Sequence, residues 1–396
     1  MSVVKNMSIR KVVLVIIPVI LATNYFYNVV LPSNKIVRFP EIVQQNGYTS
    51  EEYDVVTEDG YIINLFRLRG NKCKQLRRPV LILHGLFQSS DSWLDPGANY
   101  SLPYLLSDEC HDVWVGNSRG NYYGRRHTSL DPDNDDKFWN FSADEIGYYD
   151  IPAMIDSVLN ITKAAKLNYI GFSQGGGSFY MLCSERPEYN GKVNAMVGLG
   201  TPTTLQLSIG PIQTIFNTAM KYESLFYKLG IYEVFSRDMM AHKLINVICV
   251  FSETVCHAII TSLDGYNPDS HNEQVYQNII KHFPDGTSLR NLARYGQAGS
   301  SDRFQRYDFG ESGNMERYGT REPPSYNFQN VRVPVLLVQG RRDWLVNITE
   351  VESLSKKLPN LKELFIVNDP KWNHFDMVYS QNIKQLVFPK IHEYLS

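Results

Sequence analysis

The sequence predicts an α/β fold, a mainly parallel central sheet flanked by helices and interrupted by one helical insertion. Three observations predict it. Short, continuous apolar runs alternate with helically spaced segments from Gly60 to Gly340. One run, Leu167 to Phe172, ends in a serine turn bounded by glycines. The β-run signature vanishes between about Pro202 and Pro324 and then returns. Runs that are apolar throughout belong to strands buried on both faces, as in a parallel sheet covered by helices on each side.

The elements follow in order. Lys5, Arg10 and Lys11 precede an apolar run from Val12 to Ala22. This predicts a signal peptide over residues 1–22, with Ala22 at the cleavage site. Asn24 to Leu31 stays fairly apolar, so a retained signal anchor is the alternative. Either way the remaining chain is expected in the secretory lumen, secreted or held in a lysosome or other vesicle. Tyr61 to Leu68 alternates and reads as a strand. Pro79–Leu83 is an all-apolar run ending in His84-Gly85, and Asp112–Val115 ends in Gly116-Asn117. Asp144 to Lys163 has helical spacing. A strand (Leu167–Phe172), a helix (Gly175–Glu185) and a strand (Val193–Leu199) come next. Three irregularly amphipathic stretches then predict helices: Ile209–Met220, Tyr222–Phe235 and Met239–Val255. Val333–Val338 and Leu361–Val367 complete the sheet. Residues 36–201 and 325–396 thus form the core, and 202–324 a helical cap.

Composition excludes some partners. Net charge is −2, so no basic excess points to nucleic acid. The 25 Tyr and 19 Phe supply a large aromatic core or an apolar binding surface. No C-x-x-C pair suggests zinc. Cys249 and Cys256 are near enough in sequence to close a short loop in an oxidising compartment. Cys73, Cys110 and Cys183 read as buried thiols. Asn-x-Ser/Thr sequons stand at Asn99, Asn140, Asn160 and Asn347. Asn140, among Phe138, Trp139 and Phe141, is expected to be too buried for glycan.

The chemistry centres on Gly171-Phe172-Ser173-Gln174-Gly175. A serine in a tight strand-to-helix turn needs neighbours with almost no side chain, hence glycine at i−2 and i+2. The turn lifts the hydroxyl clear of the sheet, where a histidine reaches it. An activated serine needs a base, and the base needs an orienting acid. His374 follows the last predicted strand and is the candidate base. Asp343 follows the strand 333–338 and is the candidate acid, with Asp369 as fallback. Asp376 is too close in sequence to approach the His374 ring from behind. The backbone N–H groups of Gln174 and of Leu86, in His84-Gly85-Leu86, are candidates to meet an oxyanion. No metal or organic cofactor is required.

At this point the chain resembles the acid lipase family of the gastric and lysosomal type, from about Pro40 to the C-terminus. The resemblance rests on Gly47-Tyr48, Glu52-Tyr53-Asp54-Val55, Thr57 to Tyr61, His84-Gly85-Leu86 and Asp112 to Asn121. It continues through Phe138-Trp139, Phe141-Ser142, Asp144-Glu145, Tyr149 to Ala153, Gly171 to Gly175, Gly286-Thr287-Ser288, Tyr295-Gly296-Gln297, Asp343-Trp344-Leu345 and Asn373-His374. It implies an α/β-hydrolase fold with a helical lid. It also implies hydrolysis of neutral lipid esters (triacylglycerol, other acylglycerols or sterol esters) at a lipid–water interface, with no obligatory protein partner. The family's catalytic and oxyanion residues fall on Ser173, Asp343, His374, Leu86 and Gln174, and its cap disulfide on Cys249 and Cys256. Two departures stand out: Phe172 replaces the usual histidine, and Tyr122 to His127 is altered. A short-chain carboxylesterase and an inactive lipid carrier on the same scaffold are the alternatives.

Overall fold

A computed structural model describes residues 36–265 and 267–396. The predicted signal segment, residues 1–22, lies outside the described residues.

Eight strands run across the main sheet: β1 (Thr49–Val56), β2 (Tyr61–Arg69), β3 (Pro79–Leu83), β4 (Asp112–Gly116), β5 (Leu167–Phe172), β6 (Val193–Leu199), β7 (Val335–Gln339) and β8 (Leu361–Ile366), with a ninth, two-residue strand (Arg126–His127) paired to β2. Their spatial order is β1-β2-β4-β3-β5-β6-β7-β8. Of the eight, β2 alone runs against the rest. Every residue of β3, β4, β5 and β7 is buried, as their unbroken apolar runs require. β1 was not expected. Glu51, Glu52 and Asp54 obscure it, because it is an edge strand with one face in water. β7 starts two residues later than expected, since Pro334 has no N–H for the ladder.

Helix α1 (Ile151–Thr162) and helix α2 (Gln174–Glu185) occur where the spacing placed them. A π-helical turn, Ile146–Asp150, leads into α1. The insertion carries α3 (Pro211–Lys228), α4 (Met240–Phe251), α5 (Glu253–Asp264), α6 (Glu273–His282), α7 (Leu289–Ser300) and α8 (Gly310–Tyr318). It is not wholly helical, because Glu233–Val234 pairs with Thr287–Ser288 as a short ribbon. No helix among the described residues is long and apolar enough to cross a membrane.

Two expectations are corrected. Cys73 and Cys110 form a disulfide, leaving Cys183 free and buried. Their separation of 37 residues offers no local signal. The bond joins the loop after β2 to the residue shortly before β4, its neighbour in the sheet. Asn140 is exposed although Phe138, Trp139 and Phe141 are buried, and its Oδ1 accepts from Arg290 Nη2 at 3.2 Å. The flanking rings turn inward and leave the amide at the surface. Asn99 and Asn160 are also exposed. Asn347 caps a helix, its Oδ1 accepting from Thr349 N at 2.9 Å. Cys249 and Cys256 are joined.

Candidate active site

The sheet register brings three strand ends together. Phe172 of β5 lies opposite Leu199 of β6, and Leu199 opposite Val338 of β7. Ser173 N donates to Leu199 O at 2.9 Å, and Gly200 N to Val338 O at 3.0 Å. Ser173 has φ +48° and ψ −118°, a conformation that costs a non-glycine residue roughly 1–3 kcal/mol. The strained turn requires the glycines expected there. A Cβ on Gly171 would stand 2.6 Å from Gly176 N, and one on Gly175 2.7 Å from Leu83 O.

Asp343 lies four residues past β7 and is almost fully buried. Its Oδ1 accepts from the N–H groups of Leu345 (3.0 Å) and Val346 (2.7 Å). Its Oδ2 accepts from Gln339 Nε2 at 3.1 Å and His374 Nδ1 at 2.8 Å. An ionised carboxylate only accepts, so the His374 proton sits on Nδ1 and Nε2 presents a lone pair. Gly200, at φ +51°, makes room for this pair, since a Cβ there would meet His374 Nδ1 at 3.0 Å. The Phe172 ring lies against the imidazole, with centroids 4.7 Å apart. The departure at Phe172 thus gives His374 an apolar wall.

Ser173 and His374 line one cavity with Leu86, Leu205, Phe216 and Tyr295. The Ser173 hydroxyl and His374 Nε2 make no hydrogen bond to each other or to another group among the described residues. Such contacts are often long in a free enzyme and tighten with substrate. The Leu86 and Gln174 N–H groups have no intramolecular acceptor among the described residues, which leaves both available to an incoming oxygen.

His84 holds the Leu86 loop. Its Nδ1 donates to Gly85 O at 2.7 Å, while Nε2 accepts from Ser118 N at 3.2 Å. Burial lowers its pKa to about 4, so the ring stays neutral and keeps both bonds. Gln88 adds a brace, accepting from Gly85 N through Oε1 and donating to Tyr379 OH.

The fallback acid Asp369 and the excluded Asp376 point elsewhere. Asp369 accepts from Lys371 N and from Asn267 of the cap. Asp376 turns its carboxyl to Asn267, Ser270 and Asn373 N. Burial raises Asp376 to about 7, against roughly 3.9 when unfolded. Its contribution to stability is therefore complete below about pH 4 and is lost as pH rises to about 7, on the order of 4 kcal/mol in all. Asp376→Asn keeps the side chain neutral at every pH. The variant is expected to gain stability relative to wild type from pH 4 to 7 and then level off, as read from urea midpoints. The difference between the two proteins carries the sign. Burial lowers His84, His111 and His242 to about 4 and His271 to about 3, and these titrate in the opposite sense over the same range.

Serine on a strained elbow, the histidine–aspartate pair and two free amides on a mainly parallel sheet define an ester hydrolase of the α/β class. A family model for the alpha/beta hydrolase fold matches residues 78–378. A second, for a partial alpha/beta-hydrolase lipase region, matches 39–96. The chain is 36% identical over 351 residues to Lipase 1 of Drosophila melanogaster, covering 89% of this chain and 78% of that one. It is 33% identical over 357 residues to human gastric triacylglycerol lipase, covering 87% of each. A crystal structure of a Sulfolobus solfataricus protein assigned as a lipase shares the fold, with a TM-score of 0.60 at 13% identity, over 88% of this chain and 94% of that one. The chain belongs to the acid lipase family of the α/β-hydrolases.

Sequence reasoning had missed three contributors: Gly200, the packing role of Phe172 and the strut at His84. Gly200 and Phe172 flank recognisable strand ends and so carried a weak signal.

Proposed function

We propose that this protein hydrolyses carboxylic esters of neutral lipids through an acyl-enzyme on Ser173. The observation that carries the reading is the 2.8 Å His374–Asp343 bond beside a strained serine in one apolar cavity. Ser173 Oγ attacks the ester carbonyl while His374 Nε2 takes its proton. The Leu86 and Gln174 amides meet the oxyanion. His374 then protonates the leaving alcohol, and water, activated by the same imidazole, releases the fatty acid. Asp343 stabilises the imidazolium without taking its proton.

Phe216, Phe283, Leu205 and Ile212 of the cap face Ser173. Each CH₂ of an acyl chain moved onto that surface contributes about 0.8 kcal/mol. The free volume there is about 40 Å³, far below the roughly 300–1,000 Å³ of a typical ligand pocket. The cap must therefore shift to admit a long chain. Except for Val56, the large exposed apolar side chains among the described residues lie between Leu207 and Met315. Leu207, Ile209, Leu225 and Leu229 of the cap are about half exposed or more, which suits contact with a lipid–water interface. Two disulfides support an oxidising lumen.

A serine-directed alkyl phosphonate is expected to label Ser173 one-to-one and abolish hydrolysis of emulsified triacylglycerol. Labelling elsewhere, or none, would sink the mechanism. Turnover of soluble short-chain esters without emulsified ones would narrow the protein to a carboxylesterase.

A further inference from the structure

We infer that Asp264, supplied by the cap, is a positioning residue for the acid–base pair. It ends α5 and is fully buried. Its Oδ1 accepts from Trp344 N at 3.2 Å, and its Oδ2 from Phe375 N at 2.8 Å. Trp344 directly follows Asp343, and Phe375 directly follows His374. One carboxyl group thus bridges the peptide groups adjoining both members of the pair. The adjacent Gly265 O accepts from Asn373 Nδ2 at 3.0 Å, on the other side of His374. A third tie joins the cap to the Asp343 loop, where Ile209 N donates to Trp344 O at 2.8 Å.

The placement is costly, which argues for a task. Burial, together with Asp343, pushes the Asp264 carboxyl well above the usual range. No Lys or Arg pairs with it among the described residues. A buried acid retained without a cation, beside another acid, is a poor way to stabilise a fold. It is a good way to hold two loops at one spacing, because a carboxyl group is short and planar and turns one oxygen to each of the two N–H groups. The chemistry needs that spacing, since displacing a catalytic group by about 1 Å can cost 10²-fold in rate. The cap accordingly acts as part of the catalytic frame as well as a cover. Any cap motion that admits substrate must pivot about α5's C-terminal end or transiently release the pair.

This inference rests on the Ser173 reading, and the experiment separates the two. Asp264→Ala, Asp264→Asn and Ser173→Ala are compared with wild type on a soluble short-chain p-nitrophenyl ester, with thermal midpoints in parallel. Glu233→Gln is the control. It weakens a cap–core ion pair, Arg125–Glu233 at 2.9 Å, that touches neither loop. Both Asp264 variants are expected to lower kcat by about 10²-fold with KM within about twofold. They should also shift the His374 Nδ1–H proton resonance. Glu233→Gln should lower the midpoint and leave kcat and that resonance in place. Asp264 variants with wild-type kcat, or with KM alone changed, overturn the inference. So does a kcat loss matched by Glu233→Gln. Isosteric Asp264→Asn and the resonance keep the test open should the alanine variant fold poorly. Wild-type turnover by Ser173→Ala would instead overturn the earlier reading.

Discussion

Asp343→Asn is expected to lower kcat on a soluble ester by about 10³–10⁴-fold while the protein stays folded. The direction follows from which atoms donate. Oδ1 of Asp343 receives two backbone N–H groups, from Leu345 and Val346. An asparagine must keep its carbonyl oxygen there, because its NH₂ would meet two donors. The NH₂ then faces His374 Nδ1 and Gln339 Nε2. Nδ1 must become an acceptor, so the imidazole proton moves to Nε2. In that tautomer Nε2 has no lone pair with which to take the Ser173 proton. Steady-state kinetics with a thermal melt check this, and activity within tenfold of wild type would remove Asp343 from the proposed mechanism.

The second large effect is on stability. Changing Cys73 and Cys110 together to serine is expected to destabilise the fold by about 4 kcal/mol. That figure is the loop-closure entropy for a separation of 37 residues. The cap bond, closing only 7, gives about 2 kcal/mol by the same relation. Urea denaturation under oxidising conditions, with each pair replaced separately, should therefore rank the Cys73–Cys110 variant as the less stable. Equal stability of that variant and wild type would show that the bond does not form in solution. Because each cost enters through the unfolded chain, kcat of the folded fraction should be unchanged.

Much of the site is legible along the chain, since each proposed catalytic residue carries a local mark. Gly171 and Gly175 announce the turn at Ser173, and the apolar runs before Asp343 and His374 announce strand ends on one sheet edge. In a parallel sheet, carboxyl ends gather at one rim, so strand-end position alone places these residues near each other. Strand-end position does not separate Asp343 from Asp369, which also follows a strand; the 2.8 Å contact of Asp343 to His374 does. The cap is legible as a loss of pattern, though its short ribbon is not, because two-residue strands have no period to read.

What escaped the sequence depends on contacts between distant residues. Asp264 meets Trp344 and Phe375 across 80 and 111 positions. Cys73 finds Cys110 only because β2 and β4 are sheet neighbours. Asn140 is exposed because its aromatic neighbours have a core to enter, and β1 pairs although its charges argue against it. The amino-acid order by itself determined the layered α/β architecture and the place of the helical insertion, and marked the proposed catalytic side chains, since hydrophobic periodicity and turn sterics act over a few residues. The tertiary structure alone decided the imidazole tautomer, the long-range disulfide and the carboxyl group from the cap. Hydrogen bonds and crosslinks between distant segments have no period, and exist only once packing has brought their partners within about 3 Å.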